Sequence, residues 1–279
     1  MFWLGGGRRL WAMLHRPMGE RGPAPIRRAA VFCPPFAEEE KCSRRLYVDL
    51  ARALARRGVA TVRISYAGTG DSEGEFQDFT VESALGDIRR ALDWCRSELG
   101  EIPLATFGLR LGGTFALQAA WSDPRVDRLA LWSPITNGSA YVRMSFRRKA
   151  IRQMINTGAA GPGPGAAATA GNAAAAQDDG IFDFDGYPVA RSLWDQMDAL
   201  ETVPKGAWAH DALVVSVGAT QRPSTEFTRL AGALEDRKAH VQVDAVVSQP
   251  FWNLLGLAEC PEIIELTAGW LATPAPPEV

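Results

Sequence analysis

The stretch Leu104-Ala-Thr-Phe-Gly-Leu-Arg-Leu-Gly-Gly-Thr-Phe-Ala-Leu117 runs from an apolar, strand-like segment through a glycine-framed turn into a segment of helical composition. Gly108 and Gly112 stand two positions either side of Arg110. That is the spacing of the G-x-S-x-G nucleophile elbow, a strained strand-to-helix turn that is tolerated only when the flanking positions carry no side chain to clash. The same spacing also fits a plain tight connection between strand and helix. At the centre stands arginine, where an elbow that attacks a substrate carries Ser, Cys or Asp. On the elbow reading Arg110 is expected at φ > 0, a strained value for a residue other than glycine.

Outward from the turn, short apolar or β-branched runs alternate with longer segments of helical period. Strands are expected at 10–15, 29–34, 59–66, 104–109, 128–132, 212–217 and 241–247, and helices at 43–57, 81–98, 111–121 and 261–271. The helix at 43–57 carries Leu46, Val48, Leu50, Ala51 and Leu54 and stops at Gly58, a residue that readily takes the left-handed conformation after a helix. The helix at 81–98 places Leu85, Ile88, Leu92, Trp94 and Cys95 near one face. Such alternation predicts an α/β protein with a mainly parallel sheet and helices on both faces. It lapses between 136 and 202, where a small cap insertion is expected. There a basic segment (Arg143, Arg147, Arg148, Lys149, Arg152) precedes 157–176, which is nearly all Gly, Ala and Pro. Too few large apolar side chains are present to offset ordering entropy, so 157–176 is expected to be disordered. Phe182 to Leu200 regains the anchors of a packed cap. The basic segment fits either a solvated amphipathic helix or a contact for an acidic partner or membrane surface.

The chain has 279 residues, 47% hydrophobic and 22% charged, a length that fits one large α/β domain or two small ones and a composition that is globular rather than disordered or disulfide-framed. Thirty basic against 32 acidic residues leave a formal charge of −2, so no bulk positive field exists for nucleic acid or an anionic membrane. Cys33, Cys42, Cys95 and Cys260 lack metal-ligand spacing, which points to reduced thiols in a cytoplasmic protein and not to structural zinc. No cofactor is implied. The N-terminal MFWLGGGRRLWAML breaks the apolar stretch of a signal peptide with three glycines and two arginines, and no transmembrane segment of about 18 apolar residues follows.

Two further strand-to-loop segments, Cys-Pro-Pro-Phe-Ala-Glu-Glu-Glu-Lys-Cys-Ser-Arg-Arg (33–45) and Tyr-Ala-Gly-Thr-Gly-Asp-Ser-Glu-Gly-Glu-Phe (66–76), precede Gly-Leu-Arg-Leu-Gly-Gly (108–113). In this order the chain resembles an α/β-hydrolase of the serine aminopeptidase-like kind, with 33–42 in the place of the oxyanion loop. Together with Phe-Asp-Gly-Tyr-Pro-Val-Ala-Arg-Ser-Leu-Trp (184–194) and Gln-Pro-Phe-Trp-Asn (249–253), the segments look like the second type of exosortase-A-system-associated hydrolase. That resemblance implies the α/β-hydrolase fold and a link to exopolysaccharide and protein-sorting systems of Gram-negative bacteria, with a protein of such a system as a partner.

A Ser-His-Asp hydrolase needs a deprotonable hydroxyl, a base of near-neutral pKa and a carboxylate to orient it. A guanidinium, neutral in fewer than about one molecule in 10⁵ at pH 7, cannot supply the first. After the last strand, where the base belongs, Ser248-Gln-Pro-Phe-Trp-Asn253 contains no histidine. His15 lies on the first strand, and His210 and His240 precede strands, away from the C-terminal ends where sites of parallel sheets form. The segment after 212–217 has no carboxylate before Glu226. What remains is a backbone anion pocket between the Leu111 N–H and a donor at Phe36 or Ala37. Arg110 adds a positive charge to it. Glu38, Glu39 and Glu40 on the facing loop are either a solvated face or a source of one carboxylate, Glu39 or Glu40, paired with Arg110. Gln249, Phe251 and Trp252 occupy the place of the base with an amide and an aromatic wall, which suits either a ligand or, for the two rings, core packing. Asp71 and Ser72 read as a turn held by side-chain hydrogen bonds. Three readings stay open. One is a protein degenerate for triad chemistry that binds a small anionic or acyl ligand or a partner. Another is an ester or thioester hydrolase with a Glu39 or Glu40 base, Arg110 and a backbone oxyanion hole. The third is a purely structural interaction module with a filled pocket and an exposed apolar patch.

Overall fold

In the computed structural model, which describes residues 1–19, 22–145, 147, 180–184, 186–254, 256 and 258–274, the first half of the chain runs β1 (Phe2–Leu4), β2 (Leu10–His15), β3 (Arg28–Cys33), α1 (Glu38–Arg56), β4 (Val59–Ile64), α2 (Val81–Leu99), β5 (Leu104–Leu109), α3 (Leu111–Ser122) and β6 (Val126–Trp132). The second half runs β7 (Ile181–Phe184), β8 (Tyr187–Ala190), α4 (Arg191–Ala199), β9 (Asp211–Gly218), α5 (Thr225–Glu235), β10 (His240–Val247) and α6 (Pro261–Ala272). A two-residue hairpin at Met18–Gly19 and Gly22–Pro23 stands apart from the main sheet.

Eight strands pair in the order β1-β2-β4-β3-β5-β6-β9-β10. β1 and β2 are antiparallel to each other, and β2 is antiparallel to β4; the remaining neighbours are parallel. Every residue of β3 and β5 is buried, as parallel strands covered on both faces require. One face packs against α2, α3 and α5 through residues such as Ile88, Phe115 and Leu230. The other packs against α1 and α6 through Leu50, Leu54, Ile263 and Leu271. This is the α/β-hydrolase fold. β7 and β8 form a separate antiparallel hairpin that, with α4 and the helical residues 138–145, makes up the described part of the insertion at 136–202. The Gly/Ala/Pro stretch 157–176 lies outside the described residues. Among them, no helix is long and apolar enough to cross a membrane.

Three elements differ from expectation. Helix α1 begins at Glu38, not at 43, so Glu38, Glu39 and Glu40 form its first turn instead of a loop. Three carboxylates there face the positive end of the helix dipole. Strand β1 and helix α5 were not anticipated, although Phe227, Leu230, Ala231 and Leu234 of α5 are buried at helical spacing. Elsewhere local signals suffice: α2 opens with a reciprocal capping box between Thr80 and Ser83.

Trp132, at the end of β6, is the largest fully buried side chain of the α1/α6 face. It meets Phe107 and Phe251 edge-on, at 4.7 and 6.0 Å between ring centroids, and its indole N–H donates to Thr267 Oγ1 at 2.8 Å. Thr267→Val keeps the shape and leaves that N–H unpaired. We expect a loss of about 1–3 kcal/mol, read as a lower urea midpoint with unchanged m-value. Trp132→Phe in the same background is expected to remove the hydrogen-bond part of the Thr267→Val effect, a coupling that a double-mutant cycle measures.

Candidate functional site

The end of β5 and the start of α3 approach too closely for side chains at the two framing glycines. A Cβ on Gly108 would stand 2.2 Å from the Gly112 carbonyl oxygen, and one on Gly112 2.4 Å from the carbonyl oxygens of Cys33 and Pro34. Between them Arg110 has φ 53° and ψ −124°, the strained turn expected from the sequence. Its N–H donates to Trp132 O at 3.0 Å, and its carbonyl accepts from the N–H groups of Gly113, Thr114 and Ile135 at 3.0–3.2 Å. Tyr47 of α1 ties the two strand ends together: its hydroxyl accepts from Leu109 N–H at 3.0 Å and donates to Cys33 O at 2.9 Å. Burial holds that phenol well above its ordinary pKa.

The Arg110 side chain, 16% exposed, is enclosed by four separate parts of the chain. Its Nε lies 3.5 Å from Glu39 Oε1 in the first turn of α1. Its guanidinium stands 5.0 Å from the ring centroid of Trp252, in the 3-10 turn after β10, and 5.8 Å from that of Tyr141, in the helical residues 138–145. Nη1 donates to Ser133 O at 3.4 Å, and the Tyr141 hydroxyl donates to Glu39 Oε2, also at 3.4 Å. The charge of Arg110 is therefore matched by a buried carboxylate and faced by two aromatic rings, an arrangement that suits a guanidinium better than an ammonium.

Of the residues singled out in the sequence, Gly108, Arg110, Gly112, Glu39 and Trp252 come together. Glu40 does not: it pairs with Arg44 at 3.4 Å and lines a cavity bordered by Arg63. Glu38 accepts from the Tyr187 hydroxyl and from Lys41, each at 3.2 Å. The Phe36 side chain packs into an aromatic cluster with Phe76, Phe79 and Phe184 at 5.4–5.5 Å. Gln249 is exposed on its loop. Leu111 is the first residue of α3, and Ala37, the residue before α1, repeats the Arg110 conformation with φ 54° and ψ −126°. Ser72 is a structural clamp, accepting from Trp11 N–H at 2.9 Å and donating to Ser65 O at 2.7 Å. Tyr47, Ser133 and Tyr141 went unread in the sequence, because a buried tyrosine on a helix carries the same signal as ordinary packing.

The histidines stand apart from Arg110. His240 opens β10 with its Nδ1 3.3 Å from Asp211 Oδ1, and His210 immediately precedes β9. Both sit at the strand starts, the far end of the sheet from the elbow. His15 pairs with Thr61 near the sheet edge. Glu226, the first carboxylate after β9, lies in the first turn of α5 and accepts from the Thr136 hydroxyl. The four cysteines are free and buried, and burial pushes the Cys95 thiol up to about 12.

With this geometry in hand, the comparisons with known proteins agree on the class. The chain is an α/β-hydrolase-fold protein, and its residues 27–163 match the family described as Serine aminopeptidase, S33. No curated protein matches it. Among solved structures, Est1E from Butyrivibrio proteoclasticus with ferulic acid bound is similar at a TM-score of 0.64 and 17% identity, over 98% of this chain and 96% of that one. An alpha-beta serine hydrolase homologue from Coxiella burnetii is similar at 0.55 and 14%, over 97% and 94%. XC6422 from Xanthomonas campestris, a serine hydrolase without a lid, is similar at 0.53 and 16%, over 99% and 95%. At such identities the likeness is one of fold.

Glu39→Gln withdraws the negative charge from a pair in which both side chains are largely buried. A loss of about 1–3 kcal/mol in unfolding free energy is expected, measured by chemical denaturation at pH 7. A separate pH dependence comes from His15, whose pKa is lowered from 6.5 to about 4 by burial first and by Arg63 and Arg52 after it. Between those values the unfolded chain binds a proton that the folded chain refuses, so stability falls as pH drops through the window and levels off below it. For a half-buried ring the effect is about 1–2 kcal/mol, and His15→Gln is expected to flatten the stability profile between pH 6.5 and 4.

Proposed function

We propose that this α/β-hydrolase-fold protein does not hydrolyse substrates by Ser-His-Asp chemistry and acts by binding a ligand or a partner. The observation that carries the reading is the enclosure of Arg110 at the centre of the elbow by Glu39 and Trp252. The nucleophile position holds a guanidinium, which has no hydroxyl or thiol with which to attack, and the base position holds an indole ring. Each replacement suits the other, since a guanidinium is stabilised by both a carboxylate and an aromatic face. The likeness of 33–45, 66–76, 108–113, 184–194 and 249–253 to the exosortase-associated hydrolases supports a setting in exopolysaccharide and envelope biogenesis. What is bound there is a small anionic or acyl compound, or a protein of that system. A cytoplasmic location goes with this reading.

A panel of short- and long-chain acyl esters and thioesters, offered to the wild type and to Arg110→Ser, tests it. Neither protein is expected to exceed the uncatalysed rate. The variant regains a hydroxyl and still lacks a base and an orienting carboxylate, which places it at least about 10⁴-fold below a complete triad. A wild-type rate that collapses in both Glu39→Gln and Arg110→Ala would instead establish a carboxylate-based hydrolase.

A further inference from the structure

The sheet ends on β10, which pairs with β9 on one side and with no described strand on the other. Proteins blunt such an edge by keeping it short, by a bulge or by placing Lys or Pro on it, because its free N–H and C=O groups invite another strand. The opposite edge follows that rule, since β1 is three residues long. β10 does not. It runs for eight residues, His-Val-Gln-Val-Asp-Ala-Val-Val, without Lys or Pro. Its register with β9 is unbroken from the His240–Asp211 pair to the Val247–Gly218 pair.

The ladder decides which groups the edge leaves free. His240 N–H donates to His210 O at 2.9 Å, and Ser248 N–H, just past the strand, donates to Gly218 O at 3.0 Å. The backbone groups of successive strand residues point to opposite sides, so the even-numbered residues face β9 while Val241, Val243 and Ala245 turn N–H and C=O outward. Among the described residues those outward groups have no hydrogen-bond partner. The side chains alternate as well. Val246 joins the α1/α6 face of the core and Val241 packs against the α5 face. Gln242 and Asp244 stand on the Val246 side, where the Gln242 amide donates to Asp244 Oδ2 at 2.6 Å.

We propose that β10 is the contact through which two copies of this chain pair, edge to edge and antiparallel about a two-fold axis, so that their sheets become one. The sequence of the strand selects both the occupant and the register. A two-fold axis demands an antiparallel pair, and because only odd-numbered residues offer outward groups, each must lie opposite another odd-numbered residue. Setting Val243 against the partner's Val243 matches 240–246 with its own reverse. Val241 then exchanges N–H and C=O with the partner's Ala245, and Gln242 lies opposite the partner's Asp244. An amide and a carboxylate suit that non-hydrogen-bonded position, where Cα atoms are about 4.5 Å apart and side chains are closest. Sliding the pair by two residues one way sets Asp244 against the partner's Asp244, a like-charge contact that destabilises. Sliding it the other way leaves only 240–244 paired. An unrelated strand could use the same free groups but would lack this self-match. The pairing does not depend on what Arg110 binds, so it and the proposed function can fail separately.

The test is sedimentation equilibrium of the purified full chain over a range of concentrations, beside Val243→Pro, Gln242→Glu and Gln242→Lys, with circular dichroism to establish that each variant is folded. The wild type is expected to be a dimer at micromolar concentration that dissociates on dilution. Val243→Pro removes an N–H that the ladder with β9 does not use, a change an edge strand tolerates, and is expected to be a folded monomer. Gln242→Glu sets a carboxylate against the partner's Asp244 and is expected to weaken dimerisation at least tenfold at low ionic strength, whereas Gln242→Lys is expected to dimerise at least as tightly as the wild type. Should Val243→Pro not fold, the two Gln242 variants decide. The proposal is overturned if the wild type stays monomeric at high micromolar concentration, if folded Val243→Pro still dimerises, or if Gln242→Glu dimerises as tightly as Gln242→Lys.

Discussion

Gly112 lies against the carbonyl oxygens of Cys33 and Pro34 while Gly108 lies against Gly112 itself, and this backbone-to-backbone approach sets the positions of everything at the strand ends. A Cβ at either glycine would sit about 1 Å inside any real contact. The approach brings the exits of β3 and β5 together, and the Tyr47 hydroxyl fixes them by bonding to both. The cost falls on Arg110, whose positive φ is a strain of about 1–3 kcal/mol. Its N–H and carbonyl both find partners there, with Trp132 on one side and Gly113, Thr114 and Ile135 on the other. The turn is thus held by the surrounding backbone and does not depend on which side chain occupies its centre. That independence is what allows an arginine to stand where a nucleophile otherwise would.

Once there, the side chain has little choice of direction. An elbow projects its central residue into the crevice at the C-terminal ends of the strands. A guanidinium taken out of water costs several kcal/mol unless it is matched by charge and hydrogen bonds. Glu39 supplies the charge, Ser133 an acceptor, and Trp252 and Tyr141 the faces. These residues come from α1, the turn after β6, the turn after β10 and the insertion, so satisfying one cation joins four parts of the chain.

The elbow was readable in the sequence because its signal is local: two glycines at fixed spacing between an apolar run and a helix. The buried strands were readable for the same reason. The start of α1 was not, because residues 38–41 are Glu-Glu-Glu-Lys, without an apolar period, and the backbone reversal before them is made by Ala37 at φ 54° where glycine would have announced it. That one displacement changed the site. As a loop, the three glutamates are interchangeable candidates for Arg110. As a helical turn, successive side chains diverge by about 100°, and only one of them can face the elbow.

The first turn of α1 then divides two electrostatic problems that look like one in the sequence. Glu39 neutralises Arg110 at the elbow, and Glu40 holds Arg44 at the rim of the cavity beside Arg63. A run of three acidic residues next to two arginines reads as a solvated surface when counted, yet Glu39 is buried and Glu40 is partly so. Because Arg110 and Glu39 are buried together, exchanging the arginine for a neutral nucleophile would also take the guanidinium away from a buried carboxylate. The indole of Trp252 would lose the cation it faces at the same time. The Arg110, Glu39 and Trp252 side chains are thus consistent with one another, and on the proposed reading a Ser-His-Asp site at this elbow would demand coordinated change at all three.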